Sequence, residues 1–209
     1  MTAPTSVFVV DDDQAVRDSL GLLLKSVGVM HRLFDSAQSF LDGYDPGWQG
    51  CIVLDIRMPG MSGMELQQQL KDLRCHMPII FITGHGDVPM AVEAMQSGAF
   101  DFIQKPFRDQ ELLDRIHQAL THDAAHRSEE EQRRAVLHRH ASLTPREREV
   151  MECVVRGLAN KVIAMDLELS QRTVEIHRAR VMEKMGARSL AELVRMSLLI
   201  EEPEGKGAY

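Results

Sequence analysis

The chain has 209 residues, 44% of them hydrophobic and 26% charged, with a formal net charge of −7. That length suits one large or two modest domains, and that balance builds a packed core. No apolar run reaches the roughly 18 residues of a membrane helix and no charged-then-apolar leader precedes a cleavage site, so a cytoplasmic protein without membrane association is expected.

The first 120 residues alternate short apolar runs with amphipathic stretches. Strands are predicted in SVFVV (6–10), MHRLF (30–34), CIVL (51–54), PIIFI (78–82) and FDFI (100–103). Helical patterns fall between them, in AVRDSLGLLLKSV, SAQSFLDGY, GMELQQQLKDL and VPMAVEAMQSGA, and after the last strand in DQELLDRIHQAL. Alternation at this spacing predicts a parallel sheet with helices on both faces, and the nearly continuous Val/Ile runs fit strands buried on both sides. Cys51, Cys75 and Cys153 lie far apart without metal or redox spacing and read as reduced thiols.

Residues 121–140, THDAAHRSEEEQRRAVLHRH, are polar and lack Pro and Gly, which predicts a helical, solvated connector. His122 and His126 sit at i, i+4, but without cysteine or a Glu-x-x-His context a solvated helix face explains them more simply than zinc. A second, helical unit follows. Thr144-Pro145-Arg146-Glu147 combines an N-cap, Pro at the first helical position and Glu at N3; Ser189-Leu190-Ala191-Glu192 repeats the box, as does Ser62-Gly63-Met64-Glu65 earlier. Between the later boxes come a helix ending near Gly157, a short helix over 160–167, a turn at Glu168-Leu169-Ser170 and a longer helix, QRTVEIHRARVMEKMG, over 171–186. The domains expected are therefore 1–122, a linker 123–140, and 141–209.

Charge is uneven across these parts. Residues 1–122 hold 9 Lys+Arg against 16 Asp+Glu, 123–140 hold 4 of each, and 141–209 hold 11 of each. The excess acidity lies in the first domain, which leaves the last free to approach a polyanion.

Ligands of an open parallel sheet bind outside the carboxyl ends of its strands. The first predicted strand runs into Asp11, Asp12 and Asp13, the third into Asp55, the fourth into Thr83 and the fifth into Lys105. Like charges 4 Å apart repel by roughly 4 kcal/mol at an effective dielectric near 20, so such acids call for a cation. Hard carboxylate oxygens suit Mg2+, and a carboxylate beside it can attack a phosphoryl group, with a hydroxyl and a lysine to meet the new charge. Two other motifs fail on spacing. A dehalogenase-type phosphatase needs Thr or Val two positions after Asp13, where Ala15 stands; an EF-hand counted from Asp11 needs Gly and Glu where Val16 and Leu22 stand.

The segments VVDDD, LDIRMPGMSG, ITGHGD and DFIQKPF, in this order and spacing, resemble the receiver of a response regulator, and ITGHGDVPMAVEAM resembles the FixJ group of the NarL/FixJ family in particular. The stretch LTPREREVMECVVRGLANKVIAMDLELSQRTVEIHRARVMEKMGARSLAELV resembles the LuxR-type helix-turn-helix over its full length. The resemblance implies an α/β, doubly wound, five-stranded flavodoxin/CheY-like receiver followed by an all-α four-helix DNA-binding domain. It implies Asp55 as phosphoacceptor, with Asp11, Asp12, Asp55 and the backbone carbonyl of Arg57 holding Mg2+, or Mn2+ in its place. Asp13 would point away from the ion. Thr83 and Lys105 would bind the phosphoryl group. Phe102 matches an aromatic switch position, although an alternating strand also accounts for it as a plain core residue.

In the longer C-terminal helix, Val174, Val181 and Met185 fall on one side and can pack inward. Arg172, Thr173, Glu175, Ile176, Arg178, Ala179 and Arg180 are mostly on the remainder, within reach of bases or phosphates, and Lys161 and Lys184 are candidate phosphate contacts; a solvated helix face is the alternative. His177 can be a core-edge residue or a phosphate donor. Glu175 stands where a cation would aid nonspecific affinity, and glutamate can accept from cytosine N4.

The implied function is a two-component transcription regulator, with activation expected. A sensor histidine kinase phosphorylates Asp55, the receivers form a homodimer, and the dimer binds a palindromic double-stranded DNA site and acts on RNA polymerase. The face that changes would be built by the fourth helix, begun by Val88, Met90, Ala91 and Ala94, and by Lys105-Pro106-Phe107. No enzymatic turnover is expected; a Mg2+-dependent phosphohydrolase, or a receiver with an output other than DNA binding, is the alternative.

Overall fold

The computed structural model describes residues 4–84 and 88–201, with Val88 described in its backbone only. It divides into two compact units that meet in sequence at His126 and Arg127. None of its described helices is long and apolar enough to cross a membrane.

The first unit contains β1 (Thr5–Val10), α1 (Gln14–Ser26), β2 (His31–Phe34), α2 (Ala37–Gly43), β3 (Gln49–Asp55), α3 (Gly63–Asp72), β4 (Ile79–Thr83), α4 (Val88–Gln96), β5 (Asp101–Gln104) and the start of α5 (Asp109–Ala141). All five predicted strands are present, paired in parallel in the order β2-β1-β3-β4-β5. The order reverses between β1 and β3, which makes their carboxyl ends the crevice of a doubly wound fold.

Period-2 alternation splits the strand side chains between two cores. Phe8, Val10, Ile52, Leu54 and Phe81 join Phe40 of α2, Leu66 and Leu70 of α3 and Ala94 of α4 on one face. Val7, Val9, Val53, Ile80, Ile82 and Ile103 meet Leu20 and Leu24 of α1 and Leu112, Ile116 and Ala119 of α5 on the other. The absence of polar alternation in the sequence follows from this double burial. Leu33 and Arg32 of β2 are exposed because β2 is an edge strand, which also explains its faint sequence signal.

α5 continues for 33 residues, so the connector is helical throughout. Its opening turns are not solvated: Asp123 is buried and accepts a hydrogen bond from the Gly50 N–H at 3.0 Å, and His126 stacks on His76. Gly50 has φ +135°, and a Cβ there would lie 1.8 Å from the Ser6 carbonyl oxygen, so only glycine fits.

In the second unit, α6 (Pro145–Val155), α7 (Asn160–Asp166), α8 (Gln171–Met185) and α9 (Leu190–Glu201) surround Val150, Val154, Ile163, Val174, Val181, Met185 and Leu193. The Thr144 capping box is present as predicted, with the Thr144 side chain accepting from Glu147 N–H and the Glu147 carboxylate from Thr144 N–H. At the start of α9, Ser189 accepts from Glu192 N–H, but the Glu192 carboxylate reaches the Arg188 N–H instead of that of Ser189.

Candidate functional site

The strand register assembles the site. Val10 pairs with Leu54, so Asp11 and Asp55 come next on adjacent strands; Asp55 pairs with Ile82, placing Thr83 one residue on; Thr83 pairs with Gln104, placing Lys105 one residue on. Asp11, Asp55 and Thr83 are buried, whereas Asp12 and Asp13 are exposed.

Lys105 bridges two of the acids. Its Nζ donates to Asp11 Oδ2 at 2.7 Å and to Asp55 Oδ1 at 3.0 Å. The remaining oxygen of Asp55 accepts from Arg57 N–H at 3.0 Å, and that of Asp11 from Asp13 N–H at 2.9 Å. Burial pushes the Asp55 carboxyl above its ordinary range; the Lys105 ammonium pulls the other way without cancelling it, and the charge of Asp11 adds to the rise. Burial disfavours the Lys105 ammonium, but its bonds to Asp11 and Asp55 outweigh that and raise its pKa.

Asp13 has a separate job. It is the N-cap of α1, accepting from Ala15 N–H at 2.8 Å, so its carboxylate is directed to the helix start. The carboxylates of 11, 12 and 13 thus go to a part-buried ion pair, to solvent and to a helix cap. Sequence reading missed this cap, the Lys105–Asp11 pair, and Arg17, whose guanidinium donates to the Asp11 carbonyl at 2.7 Å.

α3 holds the loop behind Asp55 in place. The Ser62 capping box fixes its first turn, Gly63 N–H donates to the Ile56 carbonyl at 2.9 Å, and a Cβ on Gly63 would lie 2.2 Å from the Asp55 carbonyl oxygen. The helix can approach the acid-bearing strand this closely only because residue 63 has no side chain.

The donors present suit a hard dication. Asp11, Asp12 and Asp55 offer carboxylate oxygens, and Lys105 pairs with two of these three acids. Among the described residues no three His, Cys, Asp or Glu side chains are already gathered around one metal position, so the side chains would have to draw in around an ion.

Phe102, opposite Phe81 in the ladder, is half-buried against the core that holds Leu54 and Ala94. Of the residues that begin the fourth helix, Met90 and Ala91 are half-buried and Ala94 is fully buried, while Val92 and Met95 are its outward aliphatic side chains, 50% and 45% exposed. The Val88 side chain lies outside the described residues, as do 85–87 of ITGHGD.

In the second unit, Val174, Val181 and Met185 are fully buried as predicted, and Arg172, Glu175, Ile176, Ala179 and Arg180 are exposed along α8, as is Lys161 on α7. Thr173 lies in the first turn, its hydroxyl 2.7 Å from that of the N-cap Ser170. Arg178 donates to Asn160 Oδ1 at 3.1 Å. Lys184 donates to the buried Glu147 carboxylate at 2.7 Å and to the Ser142 carbonyl at 3.3 Å, so a phosphate would share it with that acid. His177 is half-buried, and its enclosed Nδ1 meets no hydrogen-bond partner among the described residues, as befits a core-edge residue.

An acid-and-lysine cluster at the switch point of a doubly wound sheet, followed by a helix-turn-helix unit, defines a response regulator with a DNA-binding output. Comparison with known proteins agrees: residues 7–117 match the response regulator receiver domain, and 141–197 match the luxR family of bacterial regulatory proteins. The transcriptional regulatory protein FixJ of Azorhizobium caulinodans is 53% identical over 193 residues, 92% of each chain. Among solved structures, the response regulator StyR superposes with a TM-score of 0.85 at 47% identity, covering 94% of this chain and 99% of that one. Full-length FixJ from B. japonicum gives 0.58 at 47% identity over 95% and 98%. The chain belongs to the FixJ group of two-component response regulators.

Proposed function

We propose that Asp55 is the phosphoacceptor, and that its phosphorylation by a sensor histidine kinase promotes receiver dimerisation and sequence-specific DNA binding that regulates transcription. The observation that carries this is the setting of Asp55: a buried carboxylate at the carboxyl edge of the sheet, one oxygen held by Lys105 and the other by a backbone N–H, with Asp11 and Thr83 on the flanking strands. A carboxylate oxygen of Asp55 attacks phosphorus, the phosphorus–nitrogen bond of the kinase phosphohistidine breaks, and the imidazole leaves with the electron pair. Lys105, freed from Asp55, meets the charge on the phosphoryl oxygens, and the Thr83 hydroxyl donates to one of them. Asp11, Asp12, Asp55 and the Arg57 carbonyl would hold Mg2+, which when bound neutralises charge on those oxygens. Phe102 follows Thr83 as the aromatic of the switch.

Two receivers then bring two α8 helices to the half-sites of a palindromic duplex. Arg172, Thr173, Glu175, Ile176, Arg178 and Ala179 face bases or the nearby backbone, with Lys161 and Lys184 toward phosphates. RNA polymerase is the final partner. We read the protein as a switch rather than a phosphohydrolase, a reading supported by its 53% identity, over 92% of each chain, to a transcriptional regulatory protein.

A small acyl phosphate donor tests the acceptor. Wild type should take up one covalent phosphoryl group, and Asp55→Asn none under the same conditions. Equal labelling of the two proteins overturns the assignment.

A further inference from the structure

Among the described residues, Met90 near the start of α4 packs on the apolar core, while the hydrogen bonds that tie the helix to the rest of the first unit lie at its C-terminal end. Its described side chains are mostly outward: Pro89, Val92, Glu93, Met95 and Gln96 are exposed, and Ala94 is its fully buried residue. The C-terminal end is closed in two ways. Gly98 (φ +83°) turns the chain so that Gly98 N–H donates to Met95 and Ala99 N–H to Ala94, a Schellman closure. Beyond this, Gln67 reaches across from α3 and donates its side-chain amide to the carbonyls of Ser97 at 3.1 Å and Ala94 at 3.5 Å.

Gln67 is an unusual residue for that place. It is 2% exposed in an otherwise apolar core between Leu66 and Leu70, and its buried Oε1 meets no hydrogen-bond partner among the described residues. Reversing the amide would set Oε1 against two carbonyl oxygens, so the observed orientation is the one the donors require. A buried polar group left half satisfied costs stability that leucine or methionine would not. Its gain is a tie to the last carbonyls of the neighbouring helix.

We infer that Gln67 is the pivot of α4: it pins the C-terminal end of the helix to α3, so that a shift at Thr83, five residues before the helix starts, becomes a swing of the opposite end. Gln67 is a positioning residue, acting through α4 and touching no reacting atom. The inference rests on the proposed phosphorylation switch. It adds the element that turns a local shift into a directed motion of the face carrying Val92 and Met95.

The test uses the full chain, wild type and Gln67→Met, which keeps length and apolarity but removes the donors. Covalent phosphorylation by acetyl phosphate should proceed within about two-fold in both, showing an intact site. The increase in dimer association on phosphorylation should fall at least five-fold in Gln67→Met; a gain equal to that of wild type overturns the pivot. A second measurement uses unsubstituted protein, with and without beryllofluoride as the phosphoryl mimic. Hydrogen exchange should change at the amides of residues 90–92 and stay constant at 97–99, and a uniform change along the helix overturns the inference. Failure of wild type to dimerise would sink the proposed dimer step alone, since the exchange pattern still decides the pivot.

Discussion

Glu147 closes the first turn of α6 and receives the Lys184 ammonium, so it serves a cap and an ion pair at once. The Lys184 bond, with the Thr144 N–H behind it, lowers its carboxyl from 4.5 to about 2. A depressed folded-state pKa adds stability above the unfolded value that fades as pH falls from about 4.5 through about 2. A carbon-detected NMR titration should place the Glu147 midpoint near 2 in wild type, and Lys184→Met should move it back toward the ordinary range. Glu147→Ala should cost about 1–3 kcal/mol in the second unit, through a lost cap and a stranded ammonium. The capping box was legible in Thr144-Pro145-Arg146-Glu147 because its parts are three residues apart. The Lys184 partner was not, at 37 residues' distance, and the same holds for Lys105 and Asp11, 94 residues apart. Chemistry picked out Asp11, Asp55, Thr83 and Lys105 as strand-end residues, but which ammonium meets which carboxylate depends on strand order.

At the level of elements, the close approach of α3 to β3 makes a demand on residue 63. Gly63→Ala must push the helix or the Asp55 carbonyl aside, because 2.2 Å is far inside contact distance. The variant should lose stability in chemical denaturation and take up phosphate more slowly than wild type; unchanged phosphorylation would show that the loop behind Asp55 tolerates the shift. The central strands were readable because each is a short Val/Ile/Phe run buried on both faces, and α8 was readable to within one residue, Gly186 proving to be its left-handed C-cap and not its last helical residue. α5 was half readable. The lack of Pro and Gly over 121–140 announced a helix, yet the polarity of that stretch hid Asp123, whose burial depends on the distant Gly50 N–H. Asp123→Ala should destabilise the first unit by about 1–3 kcal/mol by leaving that N–H unpaired, as read by denaturant midpoints.

For the whole molecule, charge separates the two tasks: the acidic excess of −7 lies in residues 1–122, while 141–209 are balanced. On the proposed reading, DNA affinity should have only a modest phosphate component and depend on base contacts and on pairing two α8 helices. Glu175→Ala should change base preference at one position per half-site across operator variants, and an unchanged preference at every position would refute its part in readout. The central claim is that a phosphoryl group on Asp55 governs binding by the second unit. Footprinting on duplex fragments, with wild type and Asp55→Asn each treated with the same small phosphodonor, tests it most directly. Treated wild type should protect a two-fold symmetric site at a concentration about ten-fold or more below that needed by untreated protein or by Asp55→Asn, a difference of about 1.4 kcal/mol or more. Equal protection by all of them, at the same concentration, would contradict the account.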